Sequence, residues 1–205
     1  MSNKYHDIAF TPSVKSAQEH YGFRKHYAKF ESGAENNVRL TDAEVDFIEQ
    51  KDGFYIATVS ETGQPWVQFR GGQAGFLKVL DERTLGYADF RGNLQYISVG
   101  NLAVNNRAAL FLMDYANRRR LKIMAKLEIY EAVRRPDLLE KLGDQAYDAK
   151  IERAVMLNVE AFEWNCPQHI TSRYTIDEIQ QLIVPLNKHI EKLERRIEQF
   201  EAERK

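Results

Sequence analysis

One cysteine, Cys166, stands in 205 residues. A single thiol cannot close an internal disulfide, and without a CxxC partner it offers no zinc staple, so stability has to come from packing and assembly. Charge of one sign is lacking too: 29 Lys and Arg face 30 Asp and Glu, a formal net charge of -1. A protein that coats nucleic acid or an anionic membrane carries a strong basic excess, so neither partner is expected, and any anion must be met by a local site. Long apolar runs are missing as well. Stretches such as residues 108–113 fall far short of the roughly 20 residues that cross a bilayer. The polar start, residues 1–7, has no signal-peptide pattern, so a cytoplasmic location is expected. What is present is 43% hydrophobic and 29% charged residues, enough for one well-buried core and short for two independent domains.

The first fifty residues read as helical and peripheral. Thr11-Pro12 is a cap followed by a first-turn proline, and Thr41-Asp42-Ala43-Glu44 is a capping box ahead of Val45, Phe47 and Ile48, so two short helices are expected before the core. Residues 54–59 and 66–70, rich in β-formers and separated by a turn with Gly63, read as a hairpin. Further strands are expected at residues 76–80, 84–88, 108–113, 121–132 and 154–162, with Asp81-Glu82-Arg83 turning between the first two of these. Residues 94–99 and 102–104 read as short helical turns, and 136–142 as a helix with proline in its first position. Short strands at this spacing, with little βαβ alternation, indicate a mainly β protein with flanking helices, built on an antiparallel barrel. The expected organisation is a helical segment 1–50 packed on the barrel, a barrel domain 51–173 and a C-terminal helix 174–205.

That last segment is the most regular. Ile176, Ile183, Ile190 and Ile197 recur every seven residues, interleaved with Ile179, Leu186, Leu193 and Phe200. Thr175 and Glu178 form a capping box at its start, and Pro185 should kink or restart the helix. Such a stripe suits a two-stranded coiled coil with another copy, or a helix lying on its own barrel.

Four groups of residues could carry chemistry, and each has a plainer alternative. In Asp89-Phe90-Arg91-Gly92-Asn93 a strand passes a glycine and enters a helix capped by Asn93; free amides beside Arg91 suit a phosphate, although ordinary strand–turn–helix corners use the same residues. Gln68 and Arg70 share one face of a strand with Trp66, ahead of Gly71-Gly72, and either line a barrel mouth or sit on a half-solvated strand. Arg118-Arg119-Arg120 either faces solvent or meets an anionic ligand or partner carboxylates. Trp164, Cys166, Gln168, His169 and Arg173 cluster in sequence around the end of the last strand. They offer a stacking plane, a thiol, an amide, a titratable ring and a cation, or else a core tryptophan, an inert thiol and a turn histidine. Metal binding is not indicated, because no second His or Cys stands at ligand spacing.

Three ordered blocks, residues 64–72, 88–93 and 164–170 with Arg173, resemble the pyridoxamine 5′-phosphate oxidase-like family of FMN-binding split barrels. The resemblance runs from about residue 43 to 173 and is closest to its flavin-nucleotide-binding branch. It implies a split β-barrel acting as a homodimer with FMN at the subunit interface. It places Gln68, Phe69, Arg70 and Gly71 along the ring and phosphate arm, and Asp89, Phe90, Arg91 and Asn93 around the phosphate. It brings Arg119, Arg120, Trp164 and Arg173 from the partner and counts Gln168 among the flavin-binding residues. The serine–arginine–lysine run of the oxidases proper is replaced here by Asn93-Leu94-Gln95, and their substrate-binding arginine–x–histidine is not reproduced in the same form, so pyridoxamine phosphate itself is not the expected substrate. The implied function is an FMN-dependent oxidoreductase acting on a small molecule or NAD(P)H, with His169 and Cys166 as catalytic candidates. A flavin carrier or sensor, or a haem-binding barrel using His169 as axial ligand, are the alternatives.

Overall fold

A computed structural model describes residues 2–30, 35–143, 147 and 149–203. The N-terminal region holds α1 (Lys4–Ala9), α2 (Pro12–His20), α3 (Arg24–Ala28) and α4 (Asp42–Glu49), together with a short parallel pair, β1 (Ser2–Asn3) and β2 (Glu35–Asn36). Among the described residues this is four helices where the sequence indicated two. The extra ones are single turns or little more, too short to leave a periodic signal. The two expected starts are present: Thr11 Oγ1 accepts from the Val14 amide, and the Glu44 carboxylate reaches back to the Thr41 amide at 2.9 Å. Helix α1 is tied to the barrel by His6, whose Nε2 lies 2.6 Å from Glu163 Oε1.

The remaining strands form one antiparallel sheet: β3 (Gly53–Val59), β4 (Pro65–Gly71), β5 (Lys78–Asp81), β6 (Thr84–Phe90), β7 (Arg107–Asp114), β8 (Arg119–Glu131) and β9 (Ile151–Trp164). Their order is β4-β3-β7-β8-β9-β6-β5. Helix α5 (Ile97–Val104) links β6 to β7, and a 3-10 turn (Ala132–Arg134) and α6 (Pro136–Leu142) link β8 to β9. The two longest strands, β8 and β9, pair through a register shift at Met124/Ala125, and such a bulge bends a strand and increases its twist. The sheet therefore curls. Phe54 of β3 meets Tyr87 of β6 edge to face at 5.4 Å, although three strands separate β3 from β6 in the hydrogen-bonded order. Inside this split barrel lie Ile56, Leu110, Leu112, Leu121, Ile123 and Leu157, all at most 1% exposed. They are the alternate, inward residues of their strands.

Two compact units are resolved: the described residues of Met1–Asp114 with Arg119–Cys166, and those of Tyr115–Arg118 with Pro167–Lys205. Within the second, the Arg173 guanidinium lies 5.1 Å from the Tyr115 ring centre, and α7 (Ile176–Glu203) begins at a capping box in which Thr175 N donates to Glu178 Oε2 at 2.7 Å. Helix α7 runs through Pro185 as one element instead of restarting there. A proline removes a single backbone hydrogen bond, to the carbonyl four residues earlier, and 18 residues of helix follow it. None of its described residues is buried. No helix among the described residues is long and apolar enough to cross a membrane.

Candidate functional site

The barrel closes with charge. Strands β4 and β6 stand near opposite ends of the sheet order, yet Arg70 Nη2 of β4 lies 3.3 Å from Asp89 Oδ1 of β6. Strand β9 pairs with β6 so that Arg153 stands opposite Asp89, and its Nε and Nη2 both reach Asp89 Oδ2, at 2.9 and 2.8 Å. The Asp89 side chain is 2% exposed and that of Arg153 9%. A carboxylate so buried needs cationic partners to remain ionised, and here two guanidiniums share it. Burial works against the charge on Arg153, but the hydrogen bonds and charge of Asp89, with Glu152, outweigh it and hold its pKa above the ordinary arginine value. Burial, aided by Asp89, pushes the Tyr87 hydroxyl above the usual phenol range, so it stays protonated.

Gln68 and Arg70 share the inward face of β4 as alternation requires. With its amide turned to satisfy its neighbours, Gln68 accepts from Ser98 Oγ at 2.8 Å and from Arg70 Nη2 at 2.7 Å. These groups face a cavity of about 320 Å³, whose walls include Trp66, Gln68, Arg70, Phe90, Ser98 and Arg153. That volume lies at the low end of the range for small-molecule sites. Residues 92–97 complete the rim.

Asn93 does not cap a helix. Its Oδ1 accepts from the Gln95 amide at 3.2 Å in a local turn, and α5 begins only at Ile97 after two left-handed residues, Leu94 and Tyr96. Such a conformation costs a non-glycine residue roughly 1 kcal/mol or more. For Tyr96 it is held by contacts: its hydroxyl donates to Glu152 Oε2 at 3.2 Å, and the Arg153 guanidinium lies 5.0 Å from its ring centre. The first amides of α5 have no side-chain cap and remain available to an acceptor. Arg91 stands apart from the walls, half-exposed, with Nε 3.5 Å from Glu152 Oε1.

Phe69 is among the residues lining the cavity, although its ring, like Gly71, serves the opposite face of the strand. Phe69 is 57% exposed; its ring meets Tyr55 at 5.4 Å and covers the cross-strand glycine pair Gly53 and Gly71, where a Cβ on Gly53 would fall 2.1 Å from the ring.

Arg119, Arg120 and Trp164 form a second group. Trp164 Nε1 donates to Glu44 Oε1 at 2.6 Å, and its ring meets Phe47 edge to face at 4.8 Å. The Arg119 guanidinium lies 4.5 Å from the Trp164 ring and 5.2 Å from Phe47. Arg120 binds Asn165, accepting from its amide at 3.1 Å and donating to its side chain from Nε at 2.8 Å. Arg153 and Trp164 are eleven residues apart in β9, about 35 Å along the strand at about 3.3 Å per residue. Trp164 lines a separate cavity with Glu44 and Phe162, so the two groups do not share one cavity. Cys166 is exposed, and Gln168, His169 and Arg173 belong to the second unit, with His169 in the left-handed conformation at φ 62°.

Sequence reasoning passed over Arg153, Ser98 and Tyr96. Arg153 had a signal, since a lone cation at the head of an apolar strand requires a buried carboxylate. Ser98 and Tyr96 had none, because a bend placed by two left-handed residues brings them to the cavity.

The family described as Pyridoxamine 5'-phosphate oxidase matches residues 40–165, more than half of the chain. No curated protein matches it. Among solved structures, a putative pyridoxamine 5'-phosphate oxidase from Lactobacillus delbrueckii is similar at 23% identity and a TM-score of 0.50, over 62% of this chain and 96% of that one. An FMN-binding protein from Syntrophomonas wolfei is similar at 11% identity and a TM-score of 0.45, over 72% and 97%. HupZ from Group A Streptococcus aligns at 17% identity and a TM-score of 0.48, over 66% and 99%. At these identities the likeness is one of fold.

Proposed function

The chain belongs to the pyridoxamine 5′-phosphate oxidase family, and from that premise we propose that it is an FMN-binding flavoprotein that works as an oxidoreductase. The observation that carries this reading is the convergence of Arg70 and Arg153, with Gln68, Ser98 and the uncapped start of α5, on one cavity. Arg70, Arg91 and Arg153 against Asp89 and Glu152 leave a local excess of one positive charge in a chain of net charge -1, the local anion site that its overall charge requires. Asp89 acts through the arginines. It is itself an anion, so its part is to fix the guanidiniums of Arg70 and Arg153, whose remaining N–H groups serve a phosphate ester. Gln68, oriented by Ser98, presents its amide to the same ligand, and Trp66 supplies a flat wall. When bound, FMN supplies hydride or electron transfer.

The cradle is one-sided in a single chain. Arg119 and Trp164 are not among the residues around the cavity, so a second copy is the means by which an aromatic and cationic lip would reach the flavin, as the family resemblance implies for Arg120 and Arg173 as well. A cytoplasmic setting, in which an exposed lone thiol such as Cys166 stays reduced, suits this reading.

A flavin carrier is the second reading. The groups around the cavity are guanidinium, amide, hydroxyl and aromatic, which hold an anion well and exchange no proton near neutral pH. Oxidation of NADH or NADPH over many turnovers by the flavin-loaded protein supports the oxidoreductase, and a single stoichiometric reduction supports the carrier. The binding claim is tested by fluorescence titration with FMN and with riboflavin, which lacks the phosphate. Arg153→Ala should weaken FMN by about 10- to 100-fold, the worth of one charged hydrogen bond of about 1.5–3 kcal/mol, and leave riboflavin nearly unchanged. A purified protein that carries no flavin and binds no added FMN would refute the proposal.

A further inference from the structure

Helix α7 carries an apolar stripe, and none of its described residues is buried. Ile176, Ile183, Ile190 and Ile197 occupy one seven-residue series and Ile179, Leu186, Leu193 and Phe200 the other, and all eight are between 43% and 75% exposed. Eight large apolar side chains on one face of a four-heptad helix form far more than the scattered single hydrophobics of an ordinary surface. A helix with such a face gains most of its stability from whatever packs against it.

The residues beside the stripe say what that is. With the isoleucine series at position a, the flanks are Gln180, Asn187, Glu194 and Glu201 at e, and Leu182, His189, Arg196 and Glu203 at g. In a parallel pair of helices in register, each g residue faces the e residue five positions later on the other helix. That sets Leu182 beside Asn187, His189 beside Glu194 and Arg196 beside Glu201, with no pair of like charges. Residues five apart on one helix do not face each other, so this complementarity has no use within a single α7. Antiparallel pairing sets g against g and e against e, and Arg196 then loses Glu201. Two further details agree. Pro185 falls at c, away from the seam, and the Glu191–Arg195 pair, 3.7 Å apart, occupies the outer positions b and f. Isoleucine at a with leucine at the central d positions favours two strands over three or four.

We propose that α7 pairs with α7 of a second copy of this chain as a parallel, in-register, two-stranded coiled coil. This interaction surface shares no residue with the walls of the flavin cavity, and its failure would leave the flavin reading untouched. The test uses the full chain with Cys166→Ser, so that one introduced cysteine is the only thiol. Ile197→Cys and Ile183→Cys place thiols at a, where the like positions of parallel partners approach closely enough for a disulfide, which needs Cα atoms within about 7 Å. Arg195→Cys at the outer position f is the control. In a glutathione buffer both a-position variants should form disulfide-linked dimers at least about tenfold faster than the control. Arg196→Glu should slow linkage at position 197, and adding Glu201→Arg should restore it. Linkage no faster than the control at both a positions would overturn the proposal, whether the stripe then serves its own chain or another protein. Linkage that appears only when Ile197→Cys and Ile179→Cys chains are mixed would show antiparallel pairing and overturn it equally, as would a double charge reversal that fails to restore the rate.

Discussion

Asp89 is the residue on which the cradle depends, because it is the anion that lets two guanidiniums sit side by side. Asp89→Asn leaves the buried Arg153 with Glu152, 3.1 Å from its Nη2, as its one remaining carboxylate partner among the described residues. Breaking one partner out of a buried pair typically costs about 3–5 kcal/mol; an amide returns part of the lost hydrogen bonding and Glu152 part of the charge balance, so a loss of about 2 kcal/mol is expected in urea unfolding. A change below about 1 kcal/mol would mean that Glu152 alone balances Arg153. A different carboxylate offers a pH test. Arg135 donates to both oxygens of Asp137, at 2.9 and 2.7 Å, and this hydrogen bonding lowers the Asp137 pKa from 3.8 to about 2. The folded value is the depressed one, so the contribution of the pair is present above the unfolded value and is lost as pH falls through about 2. The carboxyl carbon of Asp137, followed by NMR, should titrate with a midpoint near 2 and return to the ordinary aspartate range in Arg135→Ala. Because the pair is exposed, overall stability at neutral pH should hardly move.

At the scale of elements, α4 is placed by one side chain with two duties. Glu44 closes the capping box on Thr41 and accepts the indole N–H of Trp164, so it joins the start of a helix to the end of the last strand. Glu44→Ala removes a cap worth about 1 kcal/mol and leaves a half-buried indole donor without its acceptor, for a combined loss of about 2 kcal/mol. A shift in tryptophan fluorescence should accompany it, whereas Thr41→Ala should disturb the helix start and leave the fluorescence nearly alone. Equal fluorescence changes in the two variants would count against the link. The core elements obey the alternation read from sequence: Leu157 of β9 is wholly buried, and Leu157→Ala should cost about 2–5 kcal/mol by thermal unfolding.

At the scale of the whole molecule, the prediction concerns sharing. If each flavin takes its cradle from one chain and its lip from another, Arg153→Ala and Trp164→Ala should each weaken FMN binding, and mixed subunits should recover native affinity in one site of each heterodimer, up to half of its sites. Mixing without any recovery would place both groups' effects within one chain. Much of the protein was legible in the sequence because it rests on local periodicity. Strands at 54–59, 66–70, 84–88, 108–113 and 154–162 announced themselves by β-forming residues between turns, helix α6 by its leading proline, and α7 by heptads that need no partner to be recognised. The capping residues Thr11, Thr41 and Thr175 marked helix starts correctly for the same reason. The start of α5 was misread at Asn93, since the left-handed turn at Tyr96 that sets it is stabilised by Glu152, 56 residues further along the chain, and by Arg153 beside it. The cradle shares that origin. Nothing near Asp89 in sequence shows that Arg70 will reach it across the closing barrel and Arg153 across a strand pair. Side-chain periodicity, helix caps and charge balance are thus settled by neighbours in the chain, whereas the pairing of buried charges is settled by which strands the curling sheet brings together.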